Sequence, residues 1–256
     1  MIDAMKLRMR SKAATLLVSI ETRLDRIIFG WLTLAAAASA LRVSFSPVNG
    51  PVTGAELLPY VLLVLAPAWS IILALRWFRD ANSMPQPEFR LARIGSWRTV
   101  EPAEARRHTL YGPGGIMVSL LVGMLLNVPV RAAEFLAAMP PVPMGAPKWL
   151  VTLNFMMTLD VVLFASLYAI AFVAALRRVP LFPRLLVAIW IADVAMQLLI
   201  AKLVAGTADL PAQVAHALQA LLEGNINKVL ISVAVWLPYL LLSTRVNLTY
   251  RHRLPA

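Results

Sequence analysis

The stretch from Trp149 to Ala205 constrains this chain most. Two apolar runs are joined there by the basic turn Arg177-Arg178-Val179-Pro180-Leu181-Phe182-Pro183-Arg184, and each run carries one carboxylate, Asp160 or Asp193. A helix of about 20 apolar residues spans a hydrocarbon core of ~30 Å. Within lipid a segment must satisfy its own backbone N–H and C=O groups, which leaves the helix as the form such runs take. The stretch therefore reads as a membrane hairpin with an acid inside each arm.

Four further runs complete the pattern, so that spans are expected at about Ile27 to Phe45, Leu57 to Phe78, Ile116 to Val130, Trp149 to Leu176, Leu185 to Ala205 and Ile226 to Leu242. Only 14% of the residues are charged and 60% are hydrophobic, whereas charged residues make up about a quarter of a soluble domain. The expected fold is all-α: a polytopic membrane helical bundle of about six transmembrane helices in one compact domain. Residues 1–110 supply an amphipathic helix, two spans and a basic loop, and residues 111–256 supply a four-helix unit. Nothing before Ile27 has the short apolar core and small-residue cleavage site of a signal peptide, so the first span is expected to stay as an anchor.

The net charge of +11 is an orientation signal. Six Lys or Arg precede Ile27, seven lie between Arg76 and Arg107, three flank the hairpin turn and three follow span six, while the other five (Arg42, Arg131, Lys148, Lys202, Lys228) fall on the opposite side. By the positive-inside rule both termini are cytoplasmic. The same distribution argues against nucleic acid as a partner, because the cations border alternate ends of apolar runs instead of covering one polar module.

Between the spans the polar segments carry patterns of their own. Ala13, Leu17, Ile20, Leu24 and Ile27 recur every three or four residues among basic neighbours, a one-sided helix that either lies among anionic head groups or packs on the protein's own loops. Phe89, Leu91, Ile94 and Trp97 alternate with Arg90, Arg93 and Arg98, which suggests a second interfacial helix with Arg90, Arg93, Trp97 and Arg98 touching lipid. Pro67 should kink span two. Span three is the shortest, and Arg131 and Glu134, three residues apart, can pair where it ends. Residues 207–224 suggest a separate short amphipathic helix, and Arg245, Arg251 and Arg253 form a basic tail. Gly112-Pro113-Gly114-Gly115 precedes span three without the following Lys-Ser/Thr or the preceding strand of a phosphate loop.

The chain resembles the YdgK-like family of small bacterial multipass inner-membrane proteins of unknown function. The likeness rests on Gly112-Pro113-Gly114-Gly115 at the entry to a span, the turn from Arg177-Arg178 to Pro183, and the run Ile231-Ser232-Val233-Ala234-Val235-Trp236-Leu237-Pro238-Tyr239-Leu240-Leu241-Leu242-Ser243-Thr244-Arg245-Val246. It covers about residues 111–253 and implies a helical bundle in the bacterial inner membrane, with no catalytic or binding residue to carry over. The first 110 residues depart from that pattern.

Chemistry is confined to the hairpin. At 1.5 Å per residue in antiparallel helices, Asp160 and Asp193 both fall near the middle of the bilayer. A carboxylate at that depth costs a few kcal/mol and turns into the bundle, where it is neutralised. Gln197 lies one turn after Asp193 on the same face. Asp160, Asp193, Gln197 and Asn154, with Thr158 or Tyr168 nearby, therefore make a candidate intramembrane polar site. It serves either as a midplane cation or proton site, as in transporters, or as hydrogen bonds fastening helices, each worth ~0.6 to 2 kcal/mol.

Enzyme readings find little support. His108, His216 and His252 belong to different loops, the chain has no cysteine, and no serine sits in a nucleophile elbow. The Leu159-Asp160-Val161 and Ala192-Asp193-Val194 contexts lack the glycines of an intramembrane acid protease. No cofactor or metal is expected. The features point to a non-enzymatic scaffold or accessory subunit of a membrane complex, with anionic lipid and a membrane protein as partners. A small transporter or channel using the acidic pair is the alternative.

Overall fold

The computed structural model describes residues 2–46, 53–88, 94–143 and 145–256, with side chains from residue 12 onward except that of residue 82. The candidate lipid contacts Arg90 and Arg93 lie outside the described residues. Helices run as α1 (Ile2–Thr22), α2 (Leu24–Ser44), α3 (Gly54–Trp77), α4 (Pro102–Arg107), α5 (Met117–Ala138), α6 (Lys148–Leu176), α7 (Phe182–Ala205), α8 (Ala212–Leu242) and α9 (Thr244–Arg251). Two short strands, β1 (Trp97–Thr99) and β2 (Arg253–Pro255), pair antiparallel. Six helices, α2, α3 and α5 to α8, are long and apolar enough to cross a membrane, as the apolar runs predict. An even number of crossings puts α1 and α9 on one face, here called the terminal face, together with the loop after α3 and the α6–α7 turn.

Helix α6 is the centre of the bundle. It is apolar all round, as a helix must be to bury its whole circumference, and it packs against α3, α5 and α7. Two thirds of its most apolar window (67%) is buried, against 11% for α2 and 17% for α8. Those two spans therefore keep most of their apolar surface on the outside. Helix α2 is held through α3, where Trp31 Nε1 donates to the Val64 carbonyl at 2.9 Å, a turn before Pro67. At the opposite face Arg42 Nε and Tyr60 Oη both donate to the Met139 carbonyl, at 3.2 and 3.1 Å. That carbonyl is free because Pro140 and Pro141 stop α5 and no further turn can use it.

The structure corrects several expectations. Span three does not end at Val130: α5 continues through Arg131 to Ala138, and Arg131 does not pair with Glu134, which instead binds Lys228. The amphipathic stretch 207–224 is no separate helix, because from Ala212 it runs without a break into α8. At 1.5 Å per residue this 31-residue helix is about 46 Å long, so its first turns project beyond the opposite face. The stripe of Leu17, Ile20 and Leu24 faces the bundle and joins its core instead of lying among head groups.

Of the expected interfacial helix only residues 94–98 are described, and there Trp97 and Arg98 are not helical. Gly95 adopts φ +88°, a conformation that ends helices, and both residues belong to β1. There Trp97 Nε1 donates to the Ile94 carbonyl at 2.6 Å, and the exposed Arg98 pairs with Glu104 at 3.6 Å.

The basic tail is the largest surprise. Val246, Leu248 and Tyr250 are wholly buried: Tyr250 Oη donates to the Ala175 carbonyl at 2.8 Å, its ring packs 5.1 Å from that of Phe182, and Leu248 packs with Val100 and Ala105. Thus α9 plugs the terminal face between the hairpin turn and the loop after α3.

Candidate functional site: an arginine between two aspartates

The polar site is assembled by helix faces. On α6, Asp160, Phe164 and Tyr168 repeat every four residues and share one face. Asp193 and Gln197 do the same on α7. On α5, Asn127 and Arg131 are likewise one turn apart. These three faces meet in the bundle interior, and α8 adds Asn225.

Arg131 is the pivot. Its Nη1 donates to Asp160 Oδ2 at 2.9 Å, its Nη2 donates to Asp193 Oδ2, and its Nε donates to Asn127 Oδ1 at 3.1 Å. Gln197 closes the other side: its Nε2 donates to Asp160 Oδ1 at 2.8 Å and lies 3.5 Å from Asp193 Oδ1. Its Oε1 in turn accepts from Asn225 Nδ2 at 3.2 Å. Tyr168 Oη donates to Asp193 Oδ2 at 3.2 Å. The guanidinium lies 5.0 Å from the Phe164 ring centroid and 5.8 Å from that of Tyr168, within range of cation–π attraction. Exposure is 9% for Arg131, 5% for Asp160, 1% for Gln197 and nil for Asp193, so water contributes almost nothing to holding these charges. Every carboxylate oxygen and every guanidinium nitrogen of the group has a protein partner.

Asp160, Asp193, Gln197 and Tyr168 are therefore brought together, and Asn154 is not. Six residues along a helix turn the chain through about 240°, which points Asn154 away from Asp160. Asn154 instead accepts from Thr158 Oγ1 at 3.1 Å and lines an apolar groove of about 500 Å³ between α3 and α6. Sequence reasoning missed Arg131 as a member, along with Asn127 and Asn225. The signal was present: Arg131-Ala132-Ala133-Glu134-Phe135-Leu136-Ala137-Ala138 is helix-forming throughout. Extending span three to the Pro140-Pro141 stop places Arg131 inside the helix.

A second polar cluster leads outward. Glu134 and Lys228 pair across α5 and α8, Lys228 Nζ lies 3.3 Å from Asn225 Oδ1, and Asn225 reaches Gln197. The residues around this path, Asn127, Arg131, Glu134, Tyr168, Asn225 and Lys228, line a cleft of about 50 Å³. That is room for about one water and no organic solute. Chemically the arrangement can bind helices together and can hold a proton on one of its carboxylates.

These features define a multipass membrane protein with a buried Arg–Asp–Asp network. Compared with known proteins, the chain matches no family model, no curated protein and no solved structure.

Proposed function

We propose that the protein is a non-enzymatic scaffold or accessory subunit of a membrane complex, with the Arg131 network as its internal fastener. The observation that carries this reading is the partnering of every carboxylate oxygen and guanidinium nitrogen in the network: α5, α6, α7 and α8 are tied by ionic and amide hydrogen bonds, and the cleft beside them among the described residues is only about 50 Å³. The sparsely buried faces of α2 and α8 supply surface for lipid or for a partner helix. We place the protein in a bacterial inner membrane with the arginine-rich terminal face in the cytoplasm, where it meets anionic head groups. We further propose that residues 111–253 are a unit of the YdgK-like type. In support, Gly112 to Gly115, Arg178 and Arg245, which carry that resemblance, meet at the terminal face: Arg178 lies 5.5 Å from the Tyr111 ring centroid, and Arg245 Nη1 donates to the Gly112 carbonyl at 3.1 Å.

A second reading has its own support. Two carboxylates face one guanidinium, which leaves one negative charge in excess when all three are ionised, and a polar path leads from them through Asn225 to the exposed Lys228. A proton bound at the aspartates and exchanged along that path would make the protein a small proton-coupled transporter. Proteoliposomes holding the native chain, Asp160→Asn or Asp193→Asn separate the two. The scaffold reading expects proton and solute flux equal to that of empty vesicles in all three, and a stoichiometric partner on purification in mild detergent. Flux in the native chain that both variants lose establishes the second reading instead.

A further inference from the structure

At the terminal face α1, α5 and the end of α8 leave a groove of about 740 Å³ between them. Its wall at the start of α5 is mainly apolar, with Ile116, Val118 and Val122 beside one serine, Ser119, and Leu16 of α1 faces it across the gap. Seven residues of helix descend about 10 Å, so this wall runs from the membrane surface to the depth of the first acyl carbons. The mouth has the opposite character: Lys12 and Arg245 line it, and no carboxylate does among the described residues.

Arg245 is placed there by the chain around it. One guanidinium nitrogen is held by the Gly112 carbonyl, and the plane rests on Gly114 and Gly115, where a Cβ on Gly114 would lie only 3.1 Å from Nη1. Glycine at 114 spares the guanidinium this crowding, and at Gly115 a Cβ would meet it only at an ordinary contact distance of 3.6 Å. Arg245 makes no ion pair among the described residues, and the hydrogen bond to Gly112 uses only one of its five donors. A fixed cation with free donors above an apolar wall matches a phosphate above acyl chains.

We propose that this groove binds one anionic glycerophospholipid, its headgroup phosphate held by Arg245 and Lys12 and one acyl chain lying along Ile116, Val118 and Val122. The site does not depend on whether the Arg131 network is a fastener or a proton site.

The test uses the full chain in mild detergent, titrated with phosphatidylglycerol or phosphatidylcholine and followed by native mass spectrometry. One phosphatidylglycerol should remain bound at detergent levels that strip phosphatidylcholine. Arg245→Gln, which keeps a donor for the Gly112 carbonyl, should weaken retention about tenfold or more, as expected for loss of a charge-assisted bond. Lys12→Gln, at an exposed position, should weaken it a few-fold. Val122→Trp, which fills the wall and leaves both cations in place, should abolish retention of this lipid. Equal retention of the two lipids, or retention unchanged in all three variants, overturns the proposal, as does a native chain that keeps no lipid.

Discussion

Replacing Arg131 with methionine keeps much of the side chain's length and removes its charge. Asp160 and Asp193 are then left without a cation in a buried site with room for about one water. Removing one partner of a buried ion pair costs ~3–5 kcal/mol, because the remaining charge stays uncompensated, and here two acids are stranded instead of one. At about 2–4 °C per kcal/mol for a chain of this size, the thermal midpoint in detergent should fall by roughly 6–20 °C. The aspartates should behave unequally. Asp160→Asn leaves one carboxylate with one guanidinium, removes the excess negative charge, and should cost only ~1 kcal/mol, near the scale of an intramembrane hydrogen bond. Asp193, wholly buried and bonded to Arg131, Tyr168 and Gln197, should cost more when changed to Asn. The combined Arg131→Met, Asp160→Asn, Asp193→Asn protein carries no charge in the site and should recover most of the loss. The assay is thermal unfolding of the purified variants, arranged as a mutant cycle. If Arg131→Met melts no lower than the triple variant, charge compensation is not what the network provides and the reasoning fails.

Other consequences can be measured separately. Tyr250→Phe deletes the bond to the Ala175 carbonyl, which keeps the Arg178 N–H as a donor, so it should destabilise by ~0.5–1.5 kcal/mol, read by the same melts. Gly112 has φ +100°, and Gly112→Ala should cost ~1–3 kcal/mol in backbone strain and loosen Arg245, seen as faster proteolysis at the terminal face. The pKa of His252 is lowered by burial and then by the neighbouring Arg106. The folded protein thus binds its proton less readily than the unfolded chain, and stability is lost as pH falls below the ordinary histidine value of 6.5. After correction for the base-catalysed intrinsic exchange rate, amide protection in α9 and β2 should therefore fall between pH 7 and pH 5, and unchanged protection would rule His252 out as the cause. Finally, a reporter fused at Gly145 should lie on the non-cytoplasmic side, and a cytoplasmic signal there would reverse the threading.

The hairpin was readable in the sequence because hydropathy is a local property: α6 and α7 each follow from their own residues, and so does the depth of Asp160 and Asp193. What depends on a distant partner was not. Arg131 follows fifteen mostly apolar residues and resembles the end of a span; only acids 29 and 62 positions later make it tolerable inside one. Trp97 and Arg98 have a helical pattern, and their strand exists because Arg253 to Pro255 pairs with it. Val246 to Arg251 reads as a polar tail since its burial is against Ala175, Phe182 and Val100, none of them nearby in the chain. Asn154 failed for the reverse reason: depth alone grouped it with Asp160, and helical phase separates them.

The position of Arg131 also bears on how the protein is made. Helix α5 leaves the ribosome before α6 and α7, so its arginine reaches the membrane ahead of both aspartates. An unpaired arginine at a helix centre costs ~2.5–3.5 kcal/mol on insertion scales, enough to make α5 a reluctant passenger by itself. Its entry into lipid is then coupled to the arrival of Asp160 and Asp193, and the three helices insert as a group, with the ion network acting as the signal that the right spans have met.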